Sequence, residues 1–368
     1  MKPTSPWLIP FFALALLPVA GCGTDDADSS PAGVCTIVDL GDGTSAIRCP
    51  DGSEVVVRNG ADGEKGDKGE KGDDRACTLG ESDGKYTLTC GDHSVVIGDS
   101  CADGFPLDVV VRDDTDEYAT LLTLFEVSNC TWIRGDVSIR NTGEIPPALL
   151  RVERIDGDLE IVHIDLEELI LPNLTELATG VKIAANASLA KVELPSLTTA
   201  GIVLIAENDA LTSVSMPVLG TVGEGLAIYN NPSLPAIDGF SAVESMGTLY
   251  VAQNASLETI GNFASLVSVG SIELWDNDAL ESVAEFPALE ELKGFGDGAS
   301  AEYSILWASD NAVLSSFGKL GSVSTIDGHV SFMNNPELLE SAIDDLLDGI
   351  DVTGTVVTCG NKGGSGCL

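Results

Sequence analysis

Histidine, aromatic and basic side chains are scarce in this chain of 368 residues. The three histidines, His93, His163 and His329, are scattered, and no C-x-x-C pair accompanies them, so the usual zinc-ligand spacings are missing and no metal is expected. There is no G-x-S-x-G nucleophile elbow, no H-E-x-x-H and no P-loop. The chain therefore reads as a non-enzyme without a cofactor. Carboxylates are too abundant for a close pair to signal chemistry. The run Asp113-Asp114-Thr115-Asp116-Glu117 could hold calcium, but it lacks the EF-hand spacing and glycine. It reads better as a solvated turn with a helix N-cap. Lys and Arg number 18 against 58 Asp and Glu, a balance that repels nucleic acid and anionic lipid head groups. Beyond the N-terminus no apolar run is long enough to span a bilayer.

The one long apolar run is at the start. Lys2 supplies a positive head, Trp7 to Ala20 is almost wholly apolar, and Val19-Ala20-Gly21-Cys22 follows. The core is short for a membrane span and suits a signal peptide. Its end resembles the lipobox of bacterial lipoproteins, in which small residues precede an obligatory cysteine. That resemblance implies removal of residues 1–21 and lipid on Cys22, with two or more acyl chains for firm anchoring. Losing Lys2 leaves 17 basic against 58 acidic side chains, a formal −41. Gly23, rather than Asp, follows the cysteine, which leans toward the outer membrane or the cell surface as the address. The alternative is an ordinary secretory signal with a chance cysteine.

Eight further cysteines, an even number in an oxidising compartment, read as disulfides. Proximity suggests Cys35–Cys49, Cys77–Cys90, Cys101–Cys130 and Cys359–Cys367, one assignment among the 105 that eight cysteines allow. Residues 22–34 are a solvated tether of Gly, Asp, Ser, Pro and Ala. Residues 35–58 and 76–101 then form two related hairpin modules, each with an Asp-Gly turn between alternating runs. A disulfide across each would support a core too small to hold alone. Between them, residues 59–75 place glycine at every third position from Gly60 to Gly72. That is the collagen spacing, and three copies could associate weakly through it. The segment is short and has no proline, so a charged linker is the plainer reading.

Residues 102–368 carry a repeat: apolar-x-apolar-x-x-Asn-x-x-Leu. The pattern fixes Asn186, Asn208, Asn231, Asn254, Asn277, Asn311 and Asn335, at steps of 22, 23, 23, 23, 34 and 24 residues. Two earlier turns keep the frame without the asparagine, with Thr142 and Ile164 in its place. A period near 23 with short strand signals means a solenoid whose coils bury their apolar faces only against neighbours. Each asparagine falls where the chain turns, and a stack of them can satisfy backbone groups that water cannot reach. The expected fold is all-β, a single-stranded right-handed β-solenoid roughly 45–50 Å long at ~4.8 Å per coil. A helix over 115–127 and another over 336–349 are expected to cap its ends.

The stretch Asp116–Phe125, the run Asn129-Cys130-Thr131-Trp132-Ile133-Arg134-Gly135-Asp136-Val137, the repeats 226–234 and 249–257, and the closing Cys359-Gly360-Asn361 with Cys367 resemble the receptor L-domain family. The resemblance covers about residues 105–368 and implies an extracellular recognition or structural role. It supplies no catalytic residues, and no ligand contact of that family has a matching motif here.

One step breaks the rhythm. Between Asn277 and Asn311 about 11 extra residues enter, near residues 294–304. The insertion is rich in glycine and carries Phe295, Asp297 and Tyr303, a candidate contact loop for an extracellular protein or glycan. Its plain alternative is a tolerated surface loop. His163 reads as a structural histidine, and Trp275 and Trp307, near Asp-Asn turns, read as packing residues. Two functions fit: a lipid-anchored recognition or adhesion module, and a structural envelope protein without a defined ligand.

Overall fold

A computed structural model describes the backbone of six strands between residues 36 and 99, residues 104, 105 and 109–111, residues 130–294 except 262, and residues 304–367. In the first part the strands Thr36–Asp39, Thr44–Arg48 and Glu54–Arg58 pair antiparallel in order. Cys77–Ser82, Lys85–Cys90 and His93–Asp99 do the same. Each of these units is thus a three-stranded meander, with the Val-rich run after the second cysteine as its third strand. The register sets Cys77 opposite Cys90. Cys22, Cys35, Cys49, Cys101 and the linker 59–75 lie outside the described residues.

The rest is an all-β solenoid of about nine turns with right-handed winding. Its main ladder is parallel throughout and runs Val109–Val111, Val137–Arg140, Asp158–Val162, then the C-terminal halves of Glu176–Ala184, Thr199–Ala206, Thr221–Tyr229, Ser245–Ala252 and Ser268–Trp275, and on through Ser304–Ser309, His329–Met333 and Val356–Cys359. Each strand lies directly over its predecessor, so equivalent residues of successive coils form columns. Leu226, Leu249 and Ile272 stand in one inward column, and Ile228, Val251 and Leu274 in the next, all fully buried. A second row of short pairings brings Ile155, Leu177, Ala200, Val222, Met246, Val269 and Leu292 together. A third wall is built from short strands such as Lys191–Glu193 and Ser213–Ser215. One contiguous apolar core fills the space between the walls. Within it Phe240, Phe263 and Phe286 stack at 6.2 and 6.1 Å between ring centroids. Their spacing of 23 residues is visible in the sequence, although the repeat pattern above does not include that position.

The asparagine column behaves as the spacing predicts. Asn254 is fully buried. Its Oδ1 accepts the backbone N–H of Asn231 (3.0 Å) and the Asn231 side-chain amide (3.3 Å). Its own Nδ2 donates to the Ile228 carbonyl (3.0 Å) and to Asn277 Oδ1 (3.2 Å). The same bonds recur from Asn186 to Asn335, and the ladder runs on through Asn361, which accepts the Asn335 N–H at 3.1 Å. At the other end Ile164 donates its backbone N–H to Asn186 Oδ1, 2.9 Å. The residue before each ladder position has positive φ: Ala185 56°, Glu207 56°, Gln253 57° and Asp310 55° among others. A left-handed residue makes the chain turn sharply enough for the asparagine to point inward.

The structure alters the expected C-terminal cap. A helix does form, over Glu340–Leu347 with Ile343 and Leu346 buried, and starts later than Pro336. The reason for the late start is that Leu338 completes the Asn-x-x-Leu turn, its N–H bonded to the Asn335 carbonyl at 3.0 Å. The chain then continues into Asp351–Val352 and Val356–Cys359, which add a further rung to both rows. The helix is therefore part of the last coil's side, not a lid on its end. The helix expected over 115–127 lies outside the described residues.

Candidate functional site

A strand in a solenoid wall points alternate residues inward and outward. The outward positions of the main ladder change character along the rod. At the N-terminal end they are charged: Glu160 bonds Arg140 and also Lys182, the latter at 3.1 Å. They then become apolar, with Val162, Ala184, Leu204, Ala206 and Ala227 forming a second cluster separate from the core. Tyr229 and Tyr250 pack against that cluster. The aromatic character continues into Trp275 and Trp307, and all four rings are half-buried on the outer face. Tyr229 meets Tyr250 edge-to-face with 6.0 Å between centroids, and Tyr250 meets Trp275 in the same way at 6.1 Å. Small neighbours such as Ala252 make room for the rings beside them.

Glu273 sits inside this row. In register it stands directly between Tyr250 and Trp307. The side chain is partly exposed as a whole, whereas its carboxyl group is shielded from water. That shielding raises its pKa to about 7, against the opposing pull of a hydrogen bond from Ser271. Ser271 Oγ donates to Glu273 Oε1 at 3.0 Å, and Thr248 Oγ1 lies 3.0 Å from Ser271 Oγ. Since Ser271 has one hydroxyl proton and gives it to the carboxylate, Thr248 must be the donor to Ser271. Burial also raises the Tyr250 and Tyr229 phenols, with help from Glu273 and Glu207 respectively.

One indole donor of the row is left over. Trp307 Nε1 is buried without a hydrogen-bond partner. The Trp275 indole is hydrogen-bonded toward the Tyr250 hydroxyl, which favours the ionised phenol slightly. A buried N–H without a partner costs about 1–3 kcal/mol. The arrangement offers ring faces and edges, hydroxyls, one shielded carboxylate and an orphaned donor. These are the groups of a contact surface, with the Ser271 hydroxyl held on the Glu273 carboxylate.

Phe295, Asp297 and Tyr303 of the inserted loop lie outside the described residues. The structure does fix where the loop is rooted. It replaces the corner between the second row and the main ladder, leaving after Leu292 and returning at Ser304. Gly294 is held by the Gly270 carbonyl at 2.8 Å, and Ser304 bonds Ser331 at 2.6 Å between hydroxyl oxygens. Gly270 directly precedes Ser271, so the loop springs from the edge of the aromatic face.

Other residues singled out in the sequence take structural places. Cys359 and Cys367 form a disulfide with Cα atoms 4.9 Å apart, and Cys130 is buried and disulfide-bonded. His163 is exposed at a left-handed corner and belongs to the surface. His329 accepts the Thr355 N–H at 2.8 Å. Trp275 and Trp307 are half-buried, as a packing role implies, with Trp275 against Tyr250, and both occupy outward positions of the ladder. Tyr229 and Tyr250 were not among the expected site residues. Aligning the outward positions of the repeat would have found them, since all four aromatics fall there in successive coils. Among the described residues no group of three or more His, Cys, Asp or Glu side chains could hold a metal ion.

No family model matches this chain, and no curated protein or solved structure matches it either.

Proposed function

We propose that this chain is a non-catalytic recognition module, carried outside a bacterial cell on lipid attached to Cys22. The observation that supports it most is the outward row Tyr229, Tyr250, Trp275 and Trp307 around Glu273. Water-facing positions of a β-wall are ordinarily polar, and a contiguous aromatic patch there is the usual mark of a contact surface. The glycine-rich loop with Phe295, Asp297 and Tyr303 is included in the proposed surface, because its roots lie beside Ser271. In this reading the tether 22–34 and the two small modules raise the solenoid above the membrane, and the L-domain resemblance supplies the precedent for display outside the cell. Capture from envelope and extracellular extracts tests the proposal. The parent chain should enrich a partner that both Tyr250→Ala and the 294–304 deletion lose without loss of folding; equal capture by all three sinks it. For the anchor, labelled fatty acid should enter the parent and not Cys22→Ala.

A structural envelope role is the second reading. It is favoured by the unbroken asparagine ladder from Asn186 to Asn361, which makes a stiff rod with no need of a ligand. Extracts that yield no partner, together with an envelope defect in a strain lacking the protein, would favour it.

A further inference from the structure

We infer that the outer face bearing Tyr229, Tyr250, Trp275 and Trp307, edged by the corner carboxylates Glu207, Asp276 and Asp310, binds an extended lysine- or arginine-bearing segment of a partner protein. The inference rests on the recognition role proposed above and narrows it to a partner of one charge. Its ground is how the rod handles its own charges. In the first coils the carboxylates of the walls are met by basic side chains of the same chain. Glu160 meets Arg140 and Lys182, Glu193 meets Lys191, and both Asp156 and Glu176 meet Arg154. The Arg154 guanidinium also lies over the Trp132 ring, 4.8 Å from its centroid. An outer ring with two carboxylates beside it thus already holds a cation once in this molecule. From residue 192 to residue 292 the chain has 14 Asp and Glu and no Lys or Arg. Three of the four rings and two of the three corner carboxylates belong to that stretch. It supplies the ring and the acid, and leaves the cation to a partner.

The groups that select this partner are open to solvent. Glu207, Asp276 and Asp310 directly follow the outward wall positions Ala206, Trp275 and Ser309, and each turns the corner with positive φ. Glu207 and Asp310 are exposed, Asp276 is partly so, and the four rings are only half-buried. The Tyr229 phenol is raised by burial and further by the Glu207 charge, which sets that carboxylate near the ring. From Glu207 to Asp310 the edge crosses four rungs of the ladder. At ~4.8 Å per rung that is roughly 19 Å, the length of about six residues of extended chain. Carboxylates strung along an edge suit successive side chains of a peptide better than a single ion.

The test is fluorescence anisotropy of dye-labelled hexa-arginine, hexa-lysine and hexa-glutamine titrated with the full chain. Saturable binding of a basic peptide, weakened by salt, is expected, and hexa-glutamine should stay free. The triple variant Glu207→Gln, Asp276→Asn, Asp310→Asn removes the charge of the edge. It does so with residue types that the chain itself carries at equivalent corners, Gln253, Asn230 and Asn334. Binding should weaken about tenfold in that variant. Tyr229→Leu should weaken it about threefold, and both variants should keep the thermal midpoint of the parent. A control variant, Glu258→Gln, Glu281→Gln, Glu285→Gln, removes the same charge from exposed positions beside Thr259–Ile260 and Ser282–Val283 on the third wall. It should change binding by about twofold at most. Equal weakening by the two triple variants, or none by Tyr229→Leu, overturns the inference, because net charge alone then holds the peptide. Failure of both basic peptides to bind overturns it as well. Extract capture that depends on Tyr250 and survives neutralisation of the edge also overturns it, while leaving the broader recognition role in place.

Discussion

Single residues carry unusually specific duties in this solenoid. A mid-ladder asparagine such as Asn254 satisfies the Asn231 N–H and the Ile228 carbonyl in a place closed to water. Asn254→Ala would strand both groups and open a small void. The expected cost is about 2–4 kcal/mol, read as a lower midpoint in urea, with Asn254→Asp costing at least as much above pH 5. Glu273 gives a second prediction, this one with a pH sign. Its carboxyl is raised from 4.5 to about 7 in the folded protein. A raised carboxylate favours folding when protonated, so its contribution is full below about 4.5 and is lost as pH rises through about 7. Glu273→Gln should therefore be more stable than the parent at pH 8, by about 1–3 kcal/mol, and by much less near pH 5. The tryptophan emission of the parent should titrate with a midpoint near 7. Ser271→Ala, which removes the donor that lowers the value, should move that midpoint upward. A midpoint that stays put would show that the hydroxyl does not position the acid.

At the scale of the element, the coil closes only because its corners admit close approach between neighbouring turns. Gly247 shows the constraint: a Cβ there would lie 2.0 Å from the Glu224 carbonyl of the coil before. Gly247→Ala must push adjacent rungs apart, and a loss of about 2–4 kcal/mol in thermal or chemical unfolding is expected. The same corner, two coils later, is where the inserted loop leaves the wall after Gly294. An insertion there lengthens the surface without disturbing either row, since Leu292 and Leu306 keep their places over Val269 and Ile272. The C-terminal helix obeys a similar rule. Its amphipathic pattern is readable in the sequence, but the Asn-x-x-Leu turn takes the first residues, and the helix begins only at Glu340.

For the whole molecule, the open question of a stacked rod is its ends. The last strand, Val356–Cys359, is paired on one side by His329–Met333, and no described strand pairs with its other edge. Val356 and Val357 are 47% and 40% exposed there, although Val356 continues an inward column. An unpaired, apolar edge recruits other chains unless it is held back. The Cys359–Cys367 disulfide folds the tail onto the rim, where Gly360 donates to the Ser365 carbonyl at 2.6 Å. Reduction of that bond, which closes an eight-residue separation, should lower stability by about 2.5 kcal/mol and increase self-association by light scattering. Val357→Lys should suppress the association after reduction; if it does not, the edge is not the contact.

The sequence by itself determined what depends on spacing along the chain. The period near 23, the inward columns, the asparagine ladder from Asn186 to Asn335, the displaced step after Asn277 and the Cys359–Cys367 bond follow from residue order, because each coil repeats one local rule. Tertiary structure alone decided what depends on which residues of different coils share a face. Tyr229, Tyr250, Trp275 and Trp307 are separated by 21, 25 and 32 residues, and only stacking makes them one surface. The same stacking closes water away from Glu273 and leaves the Trp307 indole donor unpaired. It also assigns Asn361 to the ladder and the last helix to a flank, since both places exist only once the final coil has been laid on the one before. Hydrophobic periodicity fixes which way a side chain points within one coil, whereas the desolvation of a charge depends on every neighbour the stack brings near.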